Sequence, residues 1–196
     1  MTIFELCLKI KLRSGKLKGL FPIILLLALS SCFFPIQPAQ KPLPCPSPTV
    51  RFSPKGGCTD AVVQELDKAK TSILVQAYSF TSAPIAKVLV AAHERGVKVE
   101  IILDKSNLTA QYTSGPYVAK AGIPVKIDSV HDIAHNKIMI IDREIVITGS
   151  FNFTKSAEDK NAENLLVIRD KALAEKYTKN WQEHKGHSEP YKGKDL

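Results

Sequence analysis

The chain has 196 residues, 44% of them hydrophobic and 23% charged, with a net charge of +8. That length supports one compact domain and leaves little room for two. Half of the net charge sits in residues 1–31, where Lys9, Lys11, Arg13, Lys16 and Lys18 face only Glu5. The remainder is weakly basic, so total charge alone does not establish an anionic partner, although a local patch would suffice for nucleic acid.

At the amino end, the basic residues precede an apolar run from Leu20 to Leu29. The run is too short to span a bilayer comfortably and fits the core of a signal peptide, which predicts export. Leu29-Ser30-Ser31-Cys32 resembles the lipobox of bacterial lipoproteins, in which the cysteine after the cleavage point is lipid-modified. An ordinary signal peptide and an uncleaved anchor are the alternatives. Seven prolines between Pro35 and Pro54 then read as a stiff, extended tether. The expected division is a signal peptide over 1–31, a tether over 32–54, a folded domain over 55–188 and a polar tail over 189–196. Cys7 lies in the removed segment. In an oxidising compartment Cys45 and Cys58 could close a short loop worth roughly 2 to 3 kcal/mol, with two free thiols as the alternative.

Within the domain, strands and helices alternate. Asp60 to Lys70 reads as an amphipathic helix with Val62, Val63, Leu66 and Ala69 inward, and Ile73 to Tyr78 as a strand. Ser82 and Pro84 open a helix that ends near Gly96. Val97 to Asp104 is a buried strand, Pro116 to Ala121 a short helix and Val125 to Asp128 another strand. After the strand Ile145 to Ile147, the segment Thr148 to Asn152 reads as a turn into a helix, with Ser150 and Asn152 as capping types whose helix N-terminus would bind phosphate. A last strand, Leu165 to Ile168, precedes a helix in which Leu173, Tyr177 and Trp181 recur as core. The order predicts an α/β fold with a mixed β-sheet covered on both faces.

The chemistry concentrates in His135-Asn136-Lys137-Ile138-Met139-Ile140-Ile141-Asp142 and, six residues on, Gly149-Ser150-Phe151-Asn152. In an extended chain His135 and Lys137 share a face, while Asp142 has the opposite parity and is expected to hold structure rather than carry protons. Attack on a phosphodiester builds charge on its non-bridging oxygens, which Lys137 can meet. A neutral imidazole at His135 can attack phosphorus near pH 7. Glu163 could orient that ring.

These residues resemble the phospholipase D superfamily, whose signature His-x-Lys-x4-Asp-x6-Gly-Ser-x-Asn stands intact here. From about Val50 to Trp181 the order of elements is similar to its small bacterial endonucleases, which carry one motif per chain. The resemblance implies an α-β-α sandwich and a catalytic set of His135, Lys137, Asp142 and Glu163, with Lys137, Ser150 and Asn152 on the phosphate. It also implies catalysis through a phosphohistidine with no cofactor and no metal. The mechanism needs a second histidine as acid, and no second His-x-Lys occurs in the chain. A homodimer that brings two copies of His135 into one site is the expected solution, ahead of a monomer using His131 or His93.

Asp128, His131, Asp132 and His135 would share a face if helical and suggest a metal site, but a loop-to-strand reading of that segment removes the meaning of the spacing. His184 and His187 read as solvated residues. Tyr78, Phe80 and Lys105 are candidate groove residues. The expected function is a metal-independent nuclease of low sequence specificity, acting on DNA or RNA and held at a membrane by its amino terminus. A phospholipase D-type lipid hydrolase and a non-catalytic DNA-capture module are the competing readings.

Overall fold

The computed structural model describes residues 47–193. The segment expected to be a signal peptide, the lipidation candidate Cys32 and the disulfide candidate Cys45 lie outside the described residues.

The strands are β1 (Thr49–Ser53), β2 (Ser72–Ala77), β3 (Lys98–Asp104), β4 (Val125–Asp128), β5 (Lys137–Ile141), β6 (Ile145–Gly149), β7 (Glu163–Arg169) and β8 (Glu189–Pro190). The helices are α1 (Cys58–Asp67), α2 (Ala83–Glu94), α3 (Gly115–Lys120), α4 (Lys155–Asp159) and α5 (Lys171–His187). One mixed sheet runs in the order β1-β7-β6-β5-β2-β3-β4-β8. Its β2, β3 and β4 are parallel, while β5, β6, β7 and β1 alternate in direction.

Period-2 alternation divides the sheet residues between two cores. Ile73, Val75, Val99, Ile101, Met139, Ile141, Leu165 and Val167 pack with Val62 and Leu66 of α1 and with Ile85 and Leu89 of α2. On the other face Leu74, Ile102, Ile138, Ile140 and Val146 meet Ala174 and Trp181 of α5. The Trp181 indole donates from Nε1 to the carbonyl of Val75 at 2.9 Å, so its one polar atom is satisfied inside the core.

Two expected boundaries move. Thr49–Ser53, within the stretch read as tether, pairs antiparallel with β7. Its alternation of the apolar Val50 and Phe52 with polar residues is short and adjoins the proline-rich stretch. Glu189–Pro190, read as tail, pairs with β4, and the Tyr191 N–H donates to the carbonyl of Val125.

β5 and β6 are joined through Asp142 and Arg143, both at positive φ (53° and 56°), with the Glu144 N–H returning to the Ile141 carbonyl. That is a type I′ connection, whose twist suits a hairpin. The Asp142 carboxylate accepts from the N–H of Lys70 (3.0 Å), Thr71 (2.7 Å) and Ser72 (3.0 Å) and from Thr71 Oγ1 (2.9 Å). Burial alone would raise its pKa, but these donors hold it below the ordinary carboxylate value. The stabilisation is therefore complete above the ordinary carboxylate range and is lost as the pH falls through the depressed value. Asp142→Asn keeps one acceptor but turns an amide N–H toward Lys70, so we expect a loss of about 1 to 3 kcal/mol at neutral pH. Denaturation across a pH series should show the gap to wild type closing in acid; a gap independent of pH would contradict this account.

Candidate active site

The strand directions place the carboxyl ends of β2, β3, β4 and β6 and the amino ends of β5 and β7 along one edge of the sheet. Ligands of open α/β sheets bind at such an edge because loops, not packed strands, line it. His135 and Lys137 arrive there at the start of β5, Ser150 just after β6, and Glu163 at the start of β7. Glu163 has the parity of Leu165 and Val167, which share a core with Met139 and Ile141, so it projects from the same face as Lys137.

His135 is exposed, and its ring lies 4.6 Å, centroid to centroid, from that of Tyr78. Lys137 is 7% exposed; its Nζ donates to the His135 carbonyl at 2.8 Å and sits 5.2 Å from the centre of the Tyr78 ring. One of its three N–H donors is thus used within the protein, and two are left for an anion. Burial lowers the Lys137 pKa, and the carboxylate of Glu163 opposes that shift. The two groups therefore share one electrostatic environment although β6 lies between their strands.

The segment after β6 departs from the expectation. It does not turn into a helix at Ser150: α4 begins at Lys155, capped by the side chain of Thr154. Ser150 and Asn152 are not caps, and no helix N-terminus supplies the phosphate site there. Gly149, at φ 143°, brings the chain so close to β7 that an added Cβ would lie 2.3 Å from the Asn164 carbonyl oxygen. That oxygen accepts from the N–H groups of both Ser150 and Phe151. Phe151 and Phe153 are fully buried, and Phe153 bridges to Phe80 beside β2. The chain is extended, with the two phenylalanines inward and Ser150 and Asn152 alternating with them.

Ser150 Oγ accepts from the Asn164 N–H at 3.1 Å, which leaves its own O–H available to an incoming acceptor. Asn152 carries a buried Oδ1 that has no hydrogen-bond partner among the described residues. The expected hydrogen bond from His135 to Glu163 is not formed: Glu163 Oε1 accepts from Asn161 Nδ2 at 3.0 Å instead, a partner two residues away on its own chain. Asp142, in the hairpin at the opposite end of β5, is remote from this edge and fully engaged by the turn before β2. Cys58 is a buried thiol whose pKa burial, with a contribution from Glu158, pushes up to about 11.

The rim is built by two segments. The turn after β3 is fixed to the strand edge by Asn107 Nδ2, which donates to the Tyr78 carbonyl at 2.7 Å. The loop between β4 and β5 is held by Asp104, whose Oδ2 accepts from the Ala134 N–H at 2.7 Å, and by Lys105 Nζ on the His131 carbonyl at 3.0 Å. Two histidines read as solvated are engaged instead: His184 and His187 of α5 turn back onto the buried carboxylate of Asp128 at the end of β4. Sequence spacing could not reveal this, because nearly sixty residues separate the partners.

Residues 62–185 match the family model described as the cardiolipin synthase, PLD-like domain. The chain is similar to a protein of Rickettsia conorii named phospholipase D, with 48% identity over 134 residues that span 68% of this chain and 67% of that protein. It is similar at 27% identity over 158 residues to the mitochondrial cardiolipin hydrolase of Xenopus laevis, spanning 79% and 73% of the two chains. Among solved structures, the phospholipase D family member Nuc from Salmonella typhimurium aligns with a TM-score of 0.71 at 44% identity, over 74% of this chain and 97% of that one. NucT from Helicobacter pylori aligns at 0.68 and 24% identity, over 74% and 99%, a likeness of fold.

Proposed function

We propose that this chain, which belongs to the phospholipase D superfamily and is one of its phosphodiesterases, is a metal-independent nuclease of low sequence specificity whose site is shared by two subunits. The observation that carries this reading is the gathering of His135, Lys137, Ser150 and Glu163 on one open sheet edge. A ring nitrogen of His135 attacks phosphorus, the bond to the leaving oxygen breaks, and the partner's His135 supplies the proton that oxygen takes up. Water then displaces the histidine from phosphorus, the same partner ring accepting its proton. Lys137 and Ser150 donate to the non-bridging oxygens as charge grows there.

The rim favours a polymeric anion. Tyr78 lies against His135, and the exposed Tyr112 and Lys105 follow β3, which suits a strand that stacks bases on aromatic rings while its phosphates meet lysines. Val130 and Ile133, 65% and 57% exposed on the loop leading to His135, are the surface an isologous contact would cover. Export and a membrane anchor at the amino terminus belong to the same proposal.

The names of the relatives favour a second reading, a lipid phosphodiester. Both are tested by incubating the full chain with plasmid DNA, single-stranded DNA, RNA, and vesicles containing cardiolipin or phosphatidylcholine, with and without excess chelator. Chelator-resistant degradation of nucleic acid is expected. Turnover confined to vesicles would replace the nuclease with a lipid hydrolase, and retention of DNA without turnover would make the chain a capture module.

A further inference from the structure

We propose that Asp128, His131, His184 and His187 form a binding site for one divalent transition-metal ion of the zinc class, separate from the phosphodiester site. Asp128 is fully buried at the end of β4. His131 Nδ1 lies 3.1 Å from its Oδ1, while His184 Nδ1 and His187 Nε2 lie 2.7 and 3.3 Å from its Oδ2. The three imidazoles form a nearly equilateral triangle, with ring centroids 5.0, 5.3 and 5.2 Å apart. One ligand atom from each of the four residues falls within 4.8 Å of all the others.

These dimensions suit a metal. Four ligands held tetrahedrally at about 2.0 to 2.1 Å from zinc stand roughly 3.3 Å from one another. The histidine nitrogens already lie 2.7 to 3.3 Å from the Asp128 carboxylate, and ligand atoms up to 4.8 Å apart would draw together on the ion. Nitrogen ligands with one carboxylate suit zinc and its neighbours in the first transition row rather than calcium or magnesium. The carboxylate is already oriented for single-oxygen ligation, because Oδ1 also accepts from the Val130 N–H at 3.3 Å. The helix end is held in place as well. Lys126 Nζ donates to the carbonyls of Lys185 and Ser188 at 2.9 and 2.8 Å, and Lys185 pairs with Glu100. His184 and His187, one helical turn apart, are thereby aimed at β4 by contacts that do not involve the cluster.

Four protein ligands close the coordination sphere, which fits a structural rather than a hydrolytic ion. Such an ion would join the end of α5 to the loop that begins at Ser129 and delivers His135. Its occupancy is independent of which phosphodiester the enzyme cleaves.

Cobalt(II) is the probe, because tetrahedral Co(II) absorbs visible light far more strongly than octahedral Co(II). The full chain, stripped with chelator and dialysed, should take up one equivalent of Co(II) with an intense tetrahedral spectrum that Zn(II) abolishes. Zn(II) should raise the Tm. His187→Ala and, independently, His184→Gln should bind at least about tenfold more weakly and lose the tetrahedral band, while His93→Ala on α2 should retain it. A stoichiometry well below one, a weak octahedral spectrum, or binding by either cluster variant as tight as that of wild type would overturn the site. The readout is spectroscopic, so failure of the nuclease reading and failure of this site are separately visible.

Discussion

His135→Asn lowers kcat on the preferred phosphodiester by about 10⁴-fold or more, the scale on which removal of a nucleophile acts in other hydrolases. The substitution keeps a planar polar side chain beside Tyr78, and His135 is exposed, so the fold should be unaffected. A sharper form of the experiment mixes this variant with wild type. If each site needs His135 from both subunits, only wild-type pairs are fully active, and activity per wild-type chain falls to about one half at equal mixing with free subunit exchange. Activity per wild-type chain that stays constant at every ratio would show that each subunit works alone. A different residue would then have to protonate the leaving oxygen, and the exposed Val130 and Ile133 would need another explanation.

Much of this architecture was legible in the residues, and the parts that were not have identifiable physical reasons. The buried strands announced themselves because Ile101 to Leu103 and Ile138 to Ile141 are apolar on both faces of a covered sheet. The face shared by His135 and Lys137 followed from period two alone. Phe151 and Phe153 alternate with Ser150 and Asn152 in the same way, but the capping preference of serine and asparagine pointed to a helix. What decides is a long-range contact, the Asn164 carbonyl taken by two successive N–H groups, which Gly149 alone allows. β1 was hidden by its neighbours: a strand of five residues gains its stability from pairing with β7, and nothing local records that partner. Asp128 with His184 and His187 is the extreme case, since 56 and 59 residues separate the carboxylate from the side chains that satisfy it. The His135 to Glu163 hydrogen bond was inferred from chemistry, and here Asn161 takes the carboxylate first.

Lys137→Met tests whether the buried ammonium serves the reaction. Methionine keeps much of the unbranched stem and its volume, so packing against the core is retained. Lysine is an expensive residue to bury: its pKa is lowered by desolvation, and no carboxylate hydrogen-bonds it among the described residues. Removing the charge should therefore leave the Tm unchanged or raise it. Catalysis should move the other way. The two N–H donors left free by the His135 carbonyl face charge that develops only as phosphorus is attacked, so the loss belongs to the transition state, at about 3 kcal/mol or roughly 10²- to 10³-fold in kcat, with KM changed much less. The pH dependence carries the same signature. Because burial depresses the lysine pKa, its charged form disappears at a lower pH than for an ordinary lysine, so the alkaline limb of wild-type kcat should begin early and be absent from the residual activity of the variant. A variant that gains stability while keeping normal turnover would show that Lys137 is merely buried. A variant that loses both would show that the ammonium is held there for the fold.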